Sequence, residues 1–319
     1  MLVLVVVLVP LALAGAWWAA HRPTSAVTVH AQMSEQGGWL PGTLYASAGS
    51  ALRLRLISDD VMHGFAIGQS DAPPVDLPPG EIIETTLTFD QPGTYTYYCT
   101  RWCGPNHWRM RGVIEVTGGS PLAPQAEEPL YMTLGIDLDS PHPASATPEV
   151  RPSPERGTAL GVELPDGSRS RQDYVRRPPS ETWRALRDDP SLADLSDAEV
   201  WDLVAYLWRS TTTNEALRQG RQLFAQNCAA CHGEDGAGDG VLADSLPAVA
   251  SMDSSGTTPA APADFTDPAK MLGASSALLQ GKILRGGMGT GMPYWGPILT
   301  EGQMWALVDY LWTFQFGET

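Results

Sequence analysis

Basic charge is scarce in this 319-residue chain: 20 Lys and Arg stand against 36 Asp and Glu, a formal net charge of −16. That balance excludes nucleic-acid binding, which needs a basic surface. It suits instead the docking of a cationic partner. Cysteine is equally sparse, with four residues in two pairs, Cys99 with Cys103 and Cys228 with Cys231. There is one long apolar run, over residues 2–20, so the chain has no bundle of membrane helices. What is present in quantity is apolar material: 43% hydrophobic residues allow packed cores and exclude wholesale disorder. The length suits two modules and their connections.

The run over 2–20 ends in Trp17-Trp18, with His21-Arg22 just beyond. Its length is close to the minimum for a bilayer span, and tryptophans favour the membrane interface. Residues 1–22 are therefore expected to form a single membrane anchor. A cleaved signal peptide is the alternative, because Ala12-Leu13-Ala14 resembles a cleavage site. No Lys or Arg precedes the run, however, so the usual basic n-region is missing. Either way, everything after about residue 22 is expected outside the cytoplasm.

Residues 25–117 read as short strands separated by turns. Alternation runs through Ala51–Ile57 and Glu84–Phe89, with turn signals at Pro78-Pro79-Gly80 and Gln91-Pro92-Gly93. This spacing predicts an all-β sandwich or barrel. Residues 118–180 are rich in Pro, Ser, Gly and Arg and predict a semi-extended linker. Leu130–Leu134 interrupts it as a segment able to pack on a neighbour. Helical periodicity then takes over in 181–213 and 214–319. Leu195–Trp208 begins with a capping box of Ser196 and Glu199. It matches Leu299–Trp312 at seven of fourteen positions, at an offset of 104. The first copy has no Cys-x-x-Cys-His before it, so 181–213 reads as a degenerate haem-domain remnant.

Cys99-x3-Cys103-x3-His107-x2-Met110 places two thiols, an imidazole and a thioether on one loop, a soft-metal donor set. His63, in Asp60-Val61-Met62-His63-Gly64-Phe65, is placed to add a second imidazole. Two thiolates four residues apart can bridge two copper ions, with one imidazole on each ion and a weak thioether on one. A structural disulfide and a zinc site are the other readings. Neither accounts for Met110 or for the His63 segment. A mononuclear blue-copper site would use only one of the two cysteines.

Cys228-Ala-Ala-Cys231-His232 has the spacing of covalent haem c attachment, with His232 as proximal ligand. The rest of that domain supplies two candidates for the sixth ligand. They are Met292, followed by Pro293, and Met288 in a glycine-rich run four residues earlier. Met252 and Met271 read as packing or surface residues. His21, His30 and His142 have no motif around them.

Residues 39–117 resemble the periplasmic cupredoxin domain of haem–copper oxidase subunit II. The resemblance rests on Trp39-Leu40-Pro41, Asp60–Phe65, Pro78–Glu81 and the whole Cys99–Met110 motif. It implies a binuclear copper centre, CuA, with His63 and His107 as imidazoles, Cys99 and Cys103 as bridging thiolates, Met110 as a weak ligand, and the Arg101 carbonyl as a further ligand. Many family members carry Glu at position 101, where it holds magnesium. Arg101 cannot do so, and no magnesium site is expected. Residues 214–316 resemble a class I cytochrome c, which implies one haem attached through Cys228 and Cys231 and ligated by His232 and Met292.

The expected fold class is therefore multidomain: an all-β cupredoxin sandwich plus an all-α cytochrome c domain, with a single N-terminal membrane helix. The expected role is the non-catalytic electron-input subunit of a respiratory cytochrome c oxidase. It would take electrons from a soluble donor, a basic cytochrome c or other small redox protein. It would pass them through haem c and CuA to the polytopic catalytic subunit I, which reduces oxygen. The CuA subunit of a nitric-oxide reductase and a free-standing periplasmic carrier are alternatives. A nitrous-oxide reductase would need far more than six histidines.

Overall fold

A computed structural model describes residues 26–70, 72–104, 107–119, 128–164, 170–246, 248–250, 257–259, 261–287 and 290–317. The proposed anchor over 1–22 lies outside these residues, as do Met252 and Met288. Among the described residues, no helix is long and apolar enough to cross a membrane.

Among the described residues, the N-terminal region holds nine strands: β1 (Val27–Ala31), β2 (Trp39–Leu40), β3 (Thr43–Ser47), β4 (Ala51–Ser58), β5 (His63–Ile67), β6 (Val75–Leu77), β7 (Ile82–Thr88), β8 (Gly93–Tyr98) and β9 (Arg111–Thr117). They form a four-stranded sheet, β2-β1-β4-β7, and a five-stranded sheet, β3-β9-β8-β5-β6. The β1–β4 and β3–β9 pairs are parallel, and the remaining pairs are antiparallel. In β4, Leu52, Leu54 and Leu56 are buried while Arg53 points out, the period-2 pattern of a strand with one covered face. These leucines meet Val29, Phe65, Tyr97 and Ile114 between the sheets. The result is the expected β-sandwich.

The C-terminal region is helical, apart from a two-stranded ribbon, β10 (Ala248–Ala250) with β11 (Thr257–Pro259). Its helices are α1 (Leu130–Thr133), α2 (Pro154–Ala159), α3 (Arg171–Arg176), α4 (Pro179–Arg187), α5 (Asp197–Thr211), α6 (Asn214–Asn227), α7 (Ala229–His232), α8 (Pro268–Met271), α9 (Ser276–Arg285), α10 (Glu301–Leu311) and α11 (Thr313–Phe316).

The stretch 118–180, expected as a semi-extended linker, carries α1 to α3. Pro154, one of the prolines that suggested an extended chain, starts a helix instead. Ser153 accepts from the Arg156 amide as an N-cap, and Pro154 takes the first helical position, where a missing N–H costs nothing. Leu138 is fully buried and Tyr131 packs beside it in the core of the helical region. This stretch is thus part of that core.

The two repeat copies lie in equivalent settings. Both α5 and α10 begin with complete capping boxes, Ser196 with Glu199 and Thr300 with Gln303. Each is crossed by a helix at a glycine too close to accept a side chain. A Cβ on Gly220 of α6 would strike the Ala306 backbone and Tyr310 Cβ, and one on Gly157 of α2 would strike the Asp202 backbone and Tyr206 Cβ. Asp202 and Tyr206 are the residues that the offset of 104 relates to Ala306 and Tyr310. The repetition is a helix pair, α2–α5 and α6–α10, and only in the second pair does Cys-x-x-Cys-His lie between the two helices.

Candidate metal and haem centres

The Cys99–Met110 segment is the connection of the β8–β9 hairpin. Tyr98 pairs with Arg111, so the chain leaves and re-enters the sheet at facing positions. The Cys99 amide closes the loop by donating to the Met110 carbonyl at 3.0 Å, and the Trp39 indole N–H donates to the same oxygen at 3.0 Å. His63 stands at the head of β5, the neighbour of β8. There the Thr100 amide donates to Gly64 O at 3.3 Å, and the Gly64 amide faces Cys99 Sγ at 3.5 Å. A residue 36 positions upstream is thereby brought against the loop.

The six predicted residues separate into two halves. In one, Cys99 Sγ lies 3.7 Å from His63 Nδ1 and 3.3 Å from the Arg101 carbonyl oxygen. In the other, Cys103 Sγ lies 3.3 Å from His107 Nδ1 and 3.2 Å from Met110 Sδ. Donor atoms of His63, Cys99 and Cys103 all fall within 4.8 Å of one another. Both cysteines are free thiols, so the disulfide reading does not hold. Two thiols, two imidazoles, a thioether and a carbonyl suit copper better than a four-coordinate zinc site, which would leave the weak donors idle.

The Arg101 side chain turns away from this cluster. Its Nε and Nη2 each donate to Asp76 at 2.8 Å, a two-point pair at the surface. The carbonyl points in while the charge points out.

The electrostatics favour a thiolate. A hydrogen bond from Cys103 holds Cys99 down to about 2 against the penalty of burial, with His107 and His63 assisting. The remaining proton is held more tightly, since the hydrogen bond to Cys99, burial and the Cys99 charge all push Cys103 up. Burial opposes protonation of His63, but its bonds to Cys99 and Asp60 outweigh this and raise it. His63 Nε2 faces Asp60 at 2.7 Å, which leaves Nδ1 turned toward the sulfur. Asp60 also accepts from the Met33 and Val61 amides, at 2.6 Å each. Burial works against its charge, yet these donors keep its carboxyl below the usual range. This carboxylate thus fixes the ring, the arrangement that orients metal-binding histidines. The sequence reading missed Asp60 as an orienting group, although it stands three residues before His63.

The second centre is a cavity. His232 ends α7, directly after Cys231, and its Nδ1–H donates to Ala263 O at 3.1 Å while its ring stacks on Phe265 at 4.6 Å. That bond leaves Nε2 as the free donor. His232 and Met292, 60 residues apart, line one cavity of about 580 Å³ with Met271, Leu279, Ile283 and Leu311. The walls are mainly apolar, which suits a flat macrocycle held between an imidazole and a thioether. Cys228 and Cys231 are free thiols on the turn before His232, and burial raises the Cys228 thiol to about 12. His142 and Lys282 also line this cavity. No sequence signal announced them, because His142 comes from the supposed linker and Lys282 from an unremarkable helix.

Residues 44–117 match the family described as cytochrome c oxidase subunit II, periplasmic domain, and residues 217–315 match the cytochrome c family. Over 79 residues, 25% of its length, the chain is 33% identical to a cytochrome c oxidase subunit 2 of Thermus thermophilus and to a second protein so described from the same species. These matches span 58% and 46% of the two relatives. Among solved structures, the periplasmic domain of cytochrome oxidase subunit II of Bradyrhizobium japonicum aligns at 19% identity and a TM-score of 0.24. That alignment covers 30% of this chain and 86% of that one. The haem of the cytochrome c family and the copper of the subunit II family are the cofactors these matches suggest. The chain joins a domain of the cytochrome c oxidase subunit II periplasmic family to a domain of the cytochrome c family.

Proposed function

We propose that this chain is the electron-input subunit of a membrane-bound haem–copper oxidase, with both redox domains outside the cytoplasm and residues 1–22 as the anchor. The observation that carries this reading is the pairing of a buried two-thiol, two-imidazole cluster with a cytochrome module in one polypeptide. Cys99, Cys103, His63, His107, Met110 and the Arg101 carbonyl would hold a copper pair, and Cys228, Cys231, His232 and Met292 would hold one haem c. When bound, these groups supply one-electron transfer. The protein's contribution is to keep that transfer inexpensive. His63 is fully buried and Met110 is 1% exposed, so little water reorganises around the cluster. Asp60 fixes one imidazole, and Trp39 pins the end of the loop. The Ala263 carbonyl orients His232. Oxygen chemistry falls to a separate polytopic subunit, and the acidic surface favours a basic donor whose docking weakens with salt.

The test is absorption spectroscopy of the copper-loaded protein, with purification in mild detergent. A low-spin c-type haem at one per chain, a near-infrared copper-pair band, and a co-purifying polytopic haem subunit are expected. Cys103→Ser should abolish the near-infrared band and leave the haem spectrum intact. A parent protein without that band, or one that purifies alone from the soluble fraction, would overturn the reading. A partner that reduces nitric oxide instead of oxygen would change the acceptor.

A further inference from the structure

The proposed copper loop and the cytochrome module touch through a short seam. Gln69 donates its amide to Ile298 O at 2.7 Å, and its side-chain amide donates to Gly296 O and to Leu299 O, the latter at 3.4 Å. Among the described residues, Gln69 is the one non-glycine with a left-handed backbone, at φ 58°. Such a conformation persists where surrounding contacts impose it. Beside it, a Cβ on Gly68 would run into the Pro297 carbonyl and lie 3.0 Å from Ile298 Cα. Gly68 has no left-handed torsion of its own, so the demand for glycine comes from the other module and not from the strand end.

Arg111, the residue after Met110, forms the second half of the seam. Its Nη1 donates to Tyr294 O at 2.8 Å, and its guanidinium lies 5.5 Å from the Trp295 ring centroid, two and three residues beyond Met292. Its Nε and Nη2 are buried with no hydrogen-bond partner among the described residues. Between the modules, Cys99, His107 and Met110 face Asn227, Trp295 and Ile298 across a gap of about 10 Å³. That is the lower limit for a single water. Asn227 directly precedes Cys228, so the donor loop on one side meets the haem-attachment turn on the other.

We propose that this seam is a permanent docking face for electron transfer within the chain, with Gly68 and Arg111 as its positioning residues. The proposal rests on the functional reading above and adds the residues that hold the two modules together. With haem held by Cys228, Cys231, His232 and Met292 and copper held by Cys99 and Cys103, the closed seam would let one electron pass from the iron, oxidised from ferrous to ferric, to the copper pair, reduced by one electron. No bond is made or broken and no proton moves.

The test uses the full chain, loaded with haem and copper. In the parent, the Gln69 amide should resist hydrogen exchange. After photoreduction of the haem, transfer should follow a single phase independent of protein concentration. Gly68→Ala should leave both absorption spectra unchanged and expose the Gln69 amide. It should also slow the transfer about tenfold, as the closed fraction falls by that factor. Arg111→Gln, which keeps the hydrogen-bonding length but removes the charge, should act in the same direction. An unprotected Gln69 amide in the parent, a concentration-dependent transfer phase, or a Gly68→Ala protein indistinguishable from the parent would overturn the proposal. If the near-infrared band is missing from the parent, the functional reading fails, and amide exchange alone still decides whether the seam is closed.

Discussion

The two centres are built in opposite ways. In the β-sandwich, the donor atoms belong to the core: Cys99, Cys103 and Met110 pack in the same cluster as Leu54, Phe65 and Ile114. Strand pairing of β5, β8 and β9 brings them together. In the helical module, His232 and Met292 surround a space of about 580 Å³ that protein atoms do not fill. There the mainly apolar walls are shaped to pack on a cofactor. The sandwich should therefore hold its shape when copper is withheld, whereas the helical module should depend on its haem for folding.

The largest predicted effect breaks this comparison most directly. Removing both attachment thiols, Cys228→Ala with Cys231→Ala, leaves the cavity unfilled. Without haem the mainly apolar walls of that cavity face water, and the loss of their packing costs a large share of a domain's marginal stability. Circular dichroism should show loss of most helical signal while the β-module keeps a cooperative thermal transition. Full retention of the helical signal would show that the module folds without its cofactor and would end the contrast. A smaller effect is expected at the other centre. Asp60→Ala removes the acceptor of His63 and of two backbone amides. Copper affinity, measured by chelator competition, should fall about 10- to 100-fold, with the β-sandwich still folded. An unchanged affinity would mean that the strands alone orient the ring.

The smallest effect sharpens the description of the helical side. Asp309 is buried, and burial raises its pKa above the usual 3.8 despite bonds from Tyr174 and Thr212 and the nearby Arg171. A raised folded-state pKa means that the folded protein holds the proton more tightly than the unfolded chain does. The group therefore favours folding at low pH, and this contribution is lost as pH rises above 3.8 through the folded value. Asp309→Asn keeps an acceptor for Tyr174 and carries no charge. Relative to the parent, the variant should gain stability over that window, by under about 1 kcal/mol because the existing bonds offset most of the penalty. Thermal melts across pH would check this. A variant advantage that shrinks as pH rises would contradict the assignment.

Much of the fold was legible because its signals are local. Alternation in Ala51–Ile57 reappears as β4, and the capping box at Ser196 starts α5 as expected. The linker reading went astray for a physical reason. Proline and serine are ambiguous between extended chain and helix start, and the presence of buried neighbours decides. Ser153-Pro154 became an N-cap and first turn because Gly157 lets α2 press onto α5. His142 escaped notice on similar grounds. Nothing in its own segment points to a cavity that is assembled from α8 and α9.

The sequence by itself determined the chemistry. Two thiols, an imidazole and a thioether within twelve residues, and a Cys-x-x-Cys-His elsewhere, fix which donors exist and how far apart the chain can hold them. Tertiary structure alone decided the rest. It paired His63 with Cys99 and His107 with Cys103, and it turned the Arg101 carbonyl inward with its guanidinium on Asp76. It also laid Gly68, Gln69 and Arg111 against residues 294–299. Those contacts join positions more than 180 residues apart. They depend on which surfaces exclude water together, a property of the packed molecule that no local spacing encodes.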